Sequence, residues 1–589
     1  MKQFFKFMFA SAFGLVIGIF LIIILFAAVG ASLGGDKEVA VKENSLLTLD
    51  LSVGVVDRGY DNPLENFNPQ SMKVEGKLGL NDILKALKNA ATDDRIKGIY
   101  IDMKGVGAGA ATTEEIRNGL LKFKESGKFI LSYGEAYSQK GYFLSTVSDE
   151  IWLNPEGLVA FNGLGAEIMF FKNLLEKLEV EPQIIRYGKF KSAVEPLILD
   201  KMSEANREQI MTYVGSIWSS LIGAIGESRG ISVDELNRYA DQALIRNADS
   251  CLNYKLVDRL IYKDEVLAEL KTRLGVDAED DIESISIGSY KDVPAKRQDG
   301  EKAYAKERVA IVYATGGIES GNGDHETIGS ETISKAIRKA REDENVKAIV
   351  LRVNSPGGSA LASDVIWREV GLAKAVKPVV VSMGDVAASG GYYIACDATK
   401  ILASPTTITG SIGVFGVLMN MQGLLNNKLG ITIDTVKTNK FADLGSFARA
   451  LTSEERAIIQ ESVNEIYFDF IGKVGEGRGM ASVDVDSIGQ GRVWSGSDAI
   501  NIGLIDEFGG LERAIEIAAS EAGLEDYRLK ELPEQKDPLD EVLEELMGNK
   551  TQAAVKQTLG PLYPYFNDIR EAAEMKGVQA RLPYTIRIE

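Results

Sequence analysis

The stretch Asp93-Asp94-Arg95-Ile96-Lys97-Gly98-Ile99-Tyr100-Ile101 returns 250 positions later as Asp343-Glu344-Asn345-Val346-Lys347-Ala348-Ile349-Val350-Leu351. At the same offset Gly134, Gly141-Tyr142, Ile151, Pro155 and Gly163 recur as Gly384, Gly391-Tyr392, Ile401, Pro405 and Gly413. Gly226-Glu227-Ser228-Arg229-Gly230 recurs as Gly475-Glu476-Gly477-Arg478-Gly479, and Leu256-Val257-Asp258 as Leu504-Ile505-Asp506. Matches this numerous at nearly constant spacing mark a tandem duplication, so the chain must fold one unit twice. The units run over 46–290 and 308–525, joined by a polar linker at 291–307.

Within the second unit Val309–Tyr313, Ala348–Leu351 and Val379–Ser382 have the β-branched character of buried strands. Helical spacing lies between them, at Ser330–Arg341 and Ala360–Ala375. Strand-helix alternation predicts an α/β unit with a mainly parallel sheet and right-handed crossovers. Thr452-Ser453-Glu454-Glu455 has capping-box spacing and opens a further helix. Leu539, Val542, Leu543 and Leu546 give an amphipathic helix in a tail at 526–589, predicted to be helical.

Lys2 and Lys6 precede an uncharged, mostly apolar stretch from Phe7 to about Gly35. It is long enough for the roughly 20 residues of a membrane-spanning helix. A cleaved signal peptide is the rival reading, given the small residues Ala27-Ala28-Val29-Gly30-Ala31-Ser32, but its apolar core is usually only about 7–15 residues. The expectation is an anchor over 1–35 and a tether over 36–45. Lysines before the span favour a cytoplasmic N-terminus. The predicted location is thus the bacterial inner (cytoplasmic) membrane, single-pass, with a periplasmic catalytic domain.

Composition narrows the chemistry. One histidine among 589 residues, His325 in Gly-Asn-Gly-Asp-His-Glu-Thr, reads as a loop residue. A Ser-His-Asp hydrolase or a two-His zinc motif is therefore disfavoured. Two cysteines, Cys251 and Cys396, are too few for a disulfide scaffold or a Cys₄ site, and whether they are bonded is left open. No cofactor or metal is implied. A formal charge of −19 argues against nucleic acid as a partner.

The copies then disagree where chemistry could sit. Strand Val379–Met383 runs through Gly384-Asp385-Val386-Ala387-Ala388 into Ser389-Gly390-Gly391, placing a serine at a helix N-terminus, where free N–H groups favour negative charge. The first copy has Gln139 there. Ser389 reads either as a nucleophile or as a helix cap. Asn354-Ser355-Pro356-Gly357-Gly358-Ser359 follows a strand; its Gly358 N–H could join that of Gly390 in an oxyanion hole, or the glycines could simply make a tight turn. With histidine nearly absent, a neutral lysine is the base a serine would need. Aligning Lys189-Phe190 with Lys440-Phe441 puts Lys191 opposite Ala442, so each copy keeps half of a dyad. For any single lysine a solvated surface charge is the plain alternative, and Lys440, in Ser389's own copy, is the rival base.

At these residues the chain resembles the signal peptide peptidase A (protease IV) family in its long, duplicated form. The resemblance rests on Tyr187-Gly-Lys-Phe-Lys191-Ser-Ala-Val-Glu-Pro196, Asn354–Ser359, Met383–Tyr392, Thr409-Gly-Ser-Ile-Gly413 and the N-terminal apolar stretch. It implies two ClpP/crotonase-like units, the first supplying Lys191 as general base and the second Ser389 as nucleophile. Ser411 would orient the lysine amine. It further implies a serine endopeptidase that degrades cleaved, hydrophobic signal peptides, anchored in the membrane and assembled as a homo-oligomer, typically a tetramer. A crotonase-like acyl-CoA enzyme and a non-catalytic assembly scaffold are the competing readings.

Overall fold

The computed structural model describes residues 6, 14, 17, 40–60, 67–68, 73–74, 76–294, 305–535 and 578–581. In the first copy β1 (Ser45–Val56), α1 (Leu80–Thr92), β2 (Ile96–Gly107), α2 (Ala110–Lys124), β3 (Phe129–Tyr137), α3 (Gln139–Ser145) and β4 (Glu150–Val159) alternate. The four strands are parallel neighbours in that order, widened by Ser284–Ser286 beside β1 and Arg259–Leu260 beside β4. Next come α4 (Lys172–Leu178), β5 (Glu181–Tyr187) and α5 (Glu204–Arg229).

The second copy repeats the plan. Its strands are β6 (Arg308–Thr315), β7 (Val346–Ser355), β8 (Gly357–Ser359), β9 (Val379–Ala388), β10 (Ile408–Gly410), β11 (Val414–Asn420), β12 (Val493–Ser495) and β13 (Arg528–Leu532), and β14 (Val578–Arg581) follows later in the chain. Helices α6 (Ala360–Lys374), α7 (Gly390–Ala395) and α8 (Ser453–Arg478) lie among them. The main sheet has the order β12-β10-β9-β7-β6-β13. Each sheet buries one apolar set beneath its helices, around Ile99 and Ile101 in the first copy and Ile349 and Leu351 in the second. The capping box forms as spaced: Thr452 Oγ1 accepts from Glu455 N (3.2 Å), and Thr452 N donates to Glu455 Oε2 (2.8 Å).

A third sheet ties the copies together. Its order is Thr327–Gly329, Gly317–Glu319, β8, β14, β11, β5, so a first-copy strand pairs antiparallel with a second-copy strand from Tyr187↔Val414 to Glu181↔Asn420. A buried charge cluster adds to the joint. Arg352 on β7 meets Asp57 at 2.7 Å and Glu115 at 2.7 Å, both from the first copy, and all three are nearly inaccessible to solvent. Such a cluster holds its partners in register because an orphaned charge there is costly.

Two expectations change. No helix among the described residues is long and apolar enough to cross a membrane, which overturns the predicted single-pass location in the bacterial inner membrane. The physical reason is composition: the longest helices, α5 and α8, interrupt their apolar faces with Glu204, Arg207, Glu208, Glu454, Glu455 and Arg456. The apolar stretch within 1–35 lies outside the described residues apart from three positions. The tail is not wholly helical: Arg528–Leu532 and Val578–Arg581 are strands, each satisfied by an open sheet edge or groove. The predicted helix around Leu539–Leu546 lies outside the described residues.

Candidate active site

β9 ends in a sharp turn whose Ser389 holds φ +55° and ψ −114°, a conformation that strains a residue with a side chain. The turn is held because Ser389 N donates to Gly410 O (2.8 Å) while Tyr393 N donates to Ser389 O (2.8 Å). This sets the hydroxyl at the start of α7, aimed away from the sheet. Ser411, just past β10, is also left-handed at φ +51°.

Lys191 arrives from the other copy. β5 crosses to the third sheet, and the chain leaving it docks on 490–491: Phe190 N donates to Gln490 O (2.9 Å). There Lys191 is fully buried, its Nζ 2.9 Å from Ser389 Oγ, donating to Ser411 Oγ (3.1 Å) and Ser411 O (3.2 Å). Burial pushes this amine well below the ordinary lysine range. An amine kept neutral beside a hydroxyl can take its proton.

Gly358 and Gly390 are also brought together. A methyl group built on Gly390 would stand 3.1 Å from Gly358 N and 3.0 Å from the Ala580 carbonyl oxygen. One built on Gly357 (φ +96°) would stand 2.7 Å from Gly390 N and 2.2 Å from the same oxygen. The two amides thus flank a carbonyl, and side chains at these glycines would fill the space. That carbonyl belongs to β14, which runs antiparallel to β8 (Gly358↔Ala580) and to β11 (Phe415↔Gln579). The groove between β8 and β11 therefore accepts an extended peptide as an added strand.

The other singled-out residues fall elsewhere. Lys440 is surface-exposed and pairs with Glu454. His325 stacks on Tyr60, ring centroids 4.6 Å apart. Cys251 and Cys396 are both free and buried. Gln139, in the serine's place, plugs its own copy: its side chain accepts from Asn162 N (2.9 Å) and Gly163 N (2.8 Å) and donates to Gly163 O (2.8 Å). Beside it, Lys140 donates to Ala108 O, so the loop matching Gly358 presents an engaged carbonyl there.

Two supporting residues escaped the sequence reading. Gln209, buried on α5, donates to Phe190 O (3.1 Å) and Ser192 Oγ (2.7 Å) and accepts from Val493 N (3.2 Å). It fixes the lysine-bearing turn to the second copy. Gly491 lies against Lys191, where a methyl group would stand 2.6 Å from the lysine Cβ. Both were detectable as differences between the copies, since Ile458 stands for Gln209 and Ala243 for Gly491.

Against known proteins, peptidase family S49 matches residues 122–277 and 372–525, one stretch in each copy. "Protease 4" of Salmonella typhi is 35% identical over 93% of this chain and 90% of its own. "Protease 4" of Haemophilus influenzae is 34% identical over 84% and 82%. "Serine protease SPPA, chloroplastic" of Arabidopsis thaliana is 33% identical over 92% and 78%. A solved ClpP1 chain from Listeria monocytogenes is 16% identical over 35% of this chain and 94% of its own, with a TM-score of 0.24.

Proposed function

We propose, since the chain belongs to peptidase family S49 and is a serine-type peptidase, that Ser389 and Lys191 form its catalytic dyad and that it degrades cleaved signal peptides. Neutral Lys191 Nζ takes the Ser389 proton as Oγ attacks the peptide carbonyl. The negative charge collects on the carbonyl oxygen, and the N–H groups of Gly358 and Gly390 donate to it. The protonated lysine then gives its proton to the leaving amine, and water, deprotonated by the same lysine, hydrolyses the acyl-enzyme. Ser411 keeps the amine aimed at Oγ. The substrate lies extended between β8 and β11.

The observation that carries this reading is the 2.9 Å separation of Lys191 Nζ and Ser389 Oγ across the two copies, with the amine buried and far from its ordinary charge state. Signal peptides suit the groove because their small residues fit beside its glycines and their apolar segments have no charge to desolvate. A homo-oligomer, a tetramer in the resembling family, belongs to the same reading. Labelling of Ser389 by a serine-directed phosphonate tests it, alongside cleavage of apolar peptides. Ser389→Ala and Lys191→Ala should each abolish both, and an active Lys191→Ala chain would return the base to another group.

A further inference from the structure

The pairing of β5 with β11 has a second version in the chain that is left open. Lys177-Leu178-Glu179-Val180, leading into β5, matches Lys428-Leu429-Gly430-Ile431, and Lys189-Phe190 beyond it matches Lys440-Phe441. Glu179 and Gly430 are both left-handed, at φ +55° and +67°. The second copy carries one extra residue before this point, taken up as π-helical winding over Leu424–Leu429. The offset therefore rises from 250 to 251, and Val436 stands where the first copy has Ile185.

These counterparts live in opposite environments. Ile185 is 1% exposed, whereas Val436 is 99% exposed. Val180 is buried, whereas Ile431 is exposed, and all of 431–437 lies on the surface with no strand partner among the described residues. This run, Ile-Thr-Ile-Asp-Thr-Val-Lys, is rich in the β-branched residues that favour strands. A bare strand-forming run of this kind is a pairing surface.

The complementary surface is in the first copy. Residues 164–170 correspond to β11 and also lack a strand partner among the described residues. Leu164, Ala166 and Ile168 pack on the first core while Gly165, Glu167 and Met169 face out, the alternation of a sheet edge. Over this edge, α5 exposes 72% of Met211, which matches Gln460 of α8. Gln460 donates to Arg186 O (3.4 Å) in the covered version.

We propose that 431–437 of one copy of this chain adds to 164–170 of a second copy as an antiparallel strand. The β5–β11 register transfers directly: Thr438 opposite Leu164, Val436 opposite Ala166, Asp434 opposite Ile168 and Thr432 opposite Phe170. One chain leaves both surfaces uncovered, so the contact is head-to-tail and builds a closed ring or an open filament. It brings Ala442 of one copy towards Gln139 of the next, which makes no second dyad, so the assembly has one site per chain. The inference rests on the homo-oligomer reading above and names its surfaces.

Two measurements on the full chain test it. Sedimentation velocity should give wild-type assemblies of several 64.0 kDa chains. Val436→Asp, which adds a charge at a site fully exposed in one chain, should weaken association about 100-fold or more. Chains carrying Val436→Cys and Ala166→Cys, mixed and oxidised, should form an intermolecular disulfide, since opposed residues of an antiparallel pair have Cα atoms about 4.5–5.5 Å apart. Val436→Cys mixed with Gly165→Cys, on the other face of that edge, should not. A wild-type protein that sediments as a single chain overturns the proposal, as does a Val436→Asp chain that associates normally or a missing mixed disulfide. Phosphonate labelling of Ser389 reads the peptidase proposal separately, because that dyad forms within one chain.

Discussion

Replacing Gly491 by alanine separates lysine positioning from general damage to the fold. The added Cβ would stand 2.6 Å from the Lys191 Cβ and 2.7 Å from its Cα and N, against about 3.5–4.0 Å for ordinary carbon contacts. Lys191 must therefore shift by roughly 1 Å. A displacement of about 1 Å at a reacting group costs on the order of 10²-fold in rate. The backbone itself is not the obstacle: Gly491 is left-handed at φ +82°, and its counterpart Ala243 already holds φ +46° with a side chain. The control is Gly479→Ala, where φ is +66° but nothing lies within 4 Å of the added methyl. That change should cost about 1 kcal/mol of stability and no activity. Steady-state cleavage of an apolar fluorogenic peptide, with denaturant melts of both variants, gives the comparison. If Gly491→Ala cleaves like the wild type, or Gly479→Ala is equally impaired, the reasoning fails.

Three further outcomes follow from the same geometry. Asp57→Ala leaves Arg352 partly unpaired in the joint between copies, so urea unfolding should show a loss of about 3–5 kcal/mol. Lys191→Met should abolish cleavage yet change the pH dependence of stability. Burial lowers the folded-state pKa of Lys191, so the unfolded chain binds the extra proton, and wild-type stability should rise as pH climbs from that lowered pKa towards about 10.4. The Met variant should lack that slope, and equal slopes by denaturant titration would count against a buried neutral amine. Ending the chain at residue 577 removes β14 from the groove between β8 and β11, so KM for an added peptide should fall with little change in kcat.

Much of the arrangement was legible because the chain carries its own comparison. Gln139 against Ser389, and Ala442 against Lys191, single out two residues 198 positions apart whose side chains stand 2.9 Å apart. The alternating runs likewise predict parallel sheets, because buried strands and amphipathic helices leave distinct periodicities. What periodicity does not carry is pairing between distant segments. Nothing local to Glu181–Tyr187 says that it joins a strand of the other copy, and nothing in Val578–Arg581 says that it lies beside Gly358. Tertiary contact also decided the tail, where charged Arg528–Leu532 became a strand by completing the β6 edge. The membrane location rested on the apolar stretch before residue 36 alone, and the described helices supply no span that supports it.

The central claim is that a neutral lysine from one copy activates a serine of the other. The pH dependence of kcat/KM for an uncharged, apolar peptide tests it most directly. A base that works only when deprotonated, with its pKa brought down by burial, gives a rate that rises with pH and levels off below the ordinary lysine range. A profile that stays flat from mildly acidic to mildly alkaline pH would contradict the account.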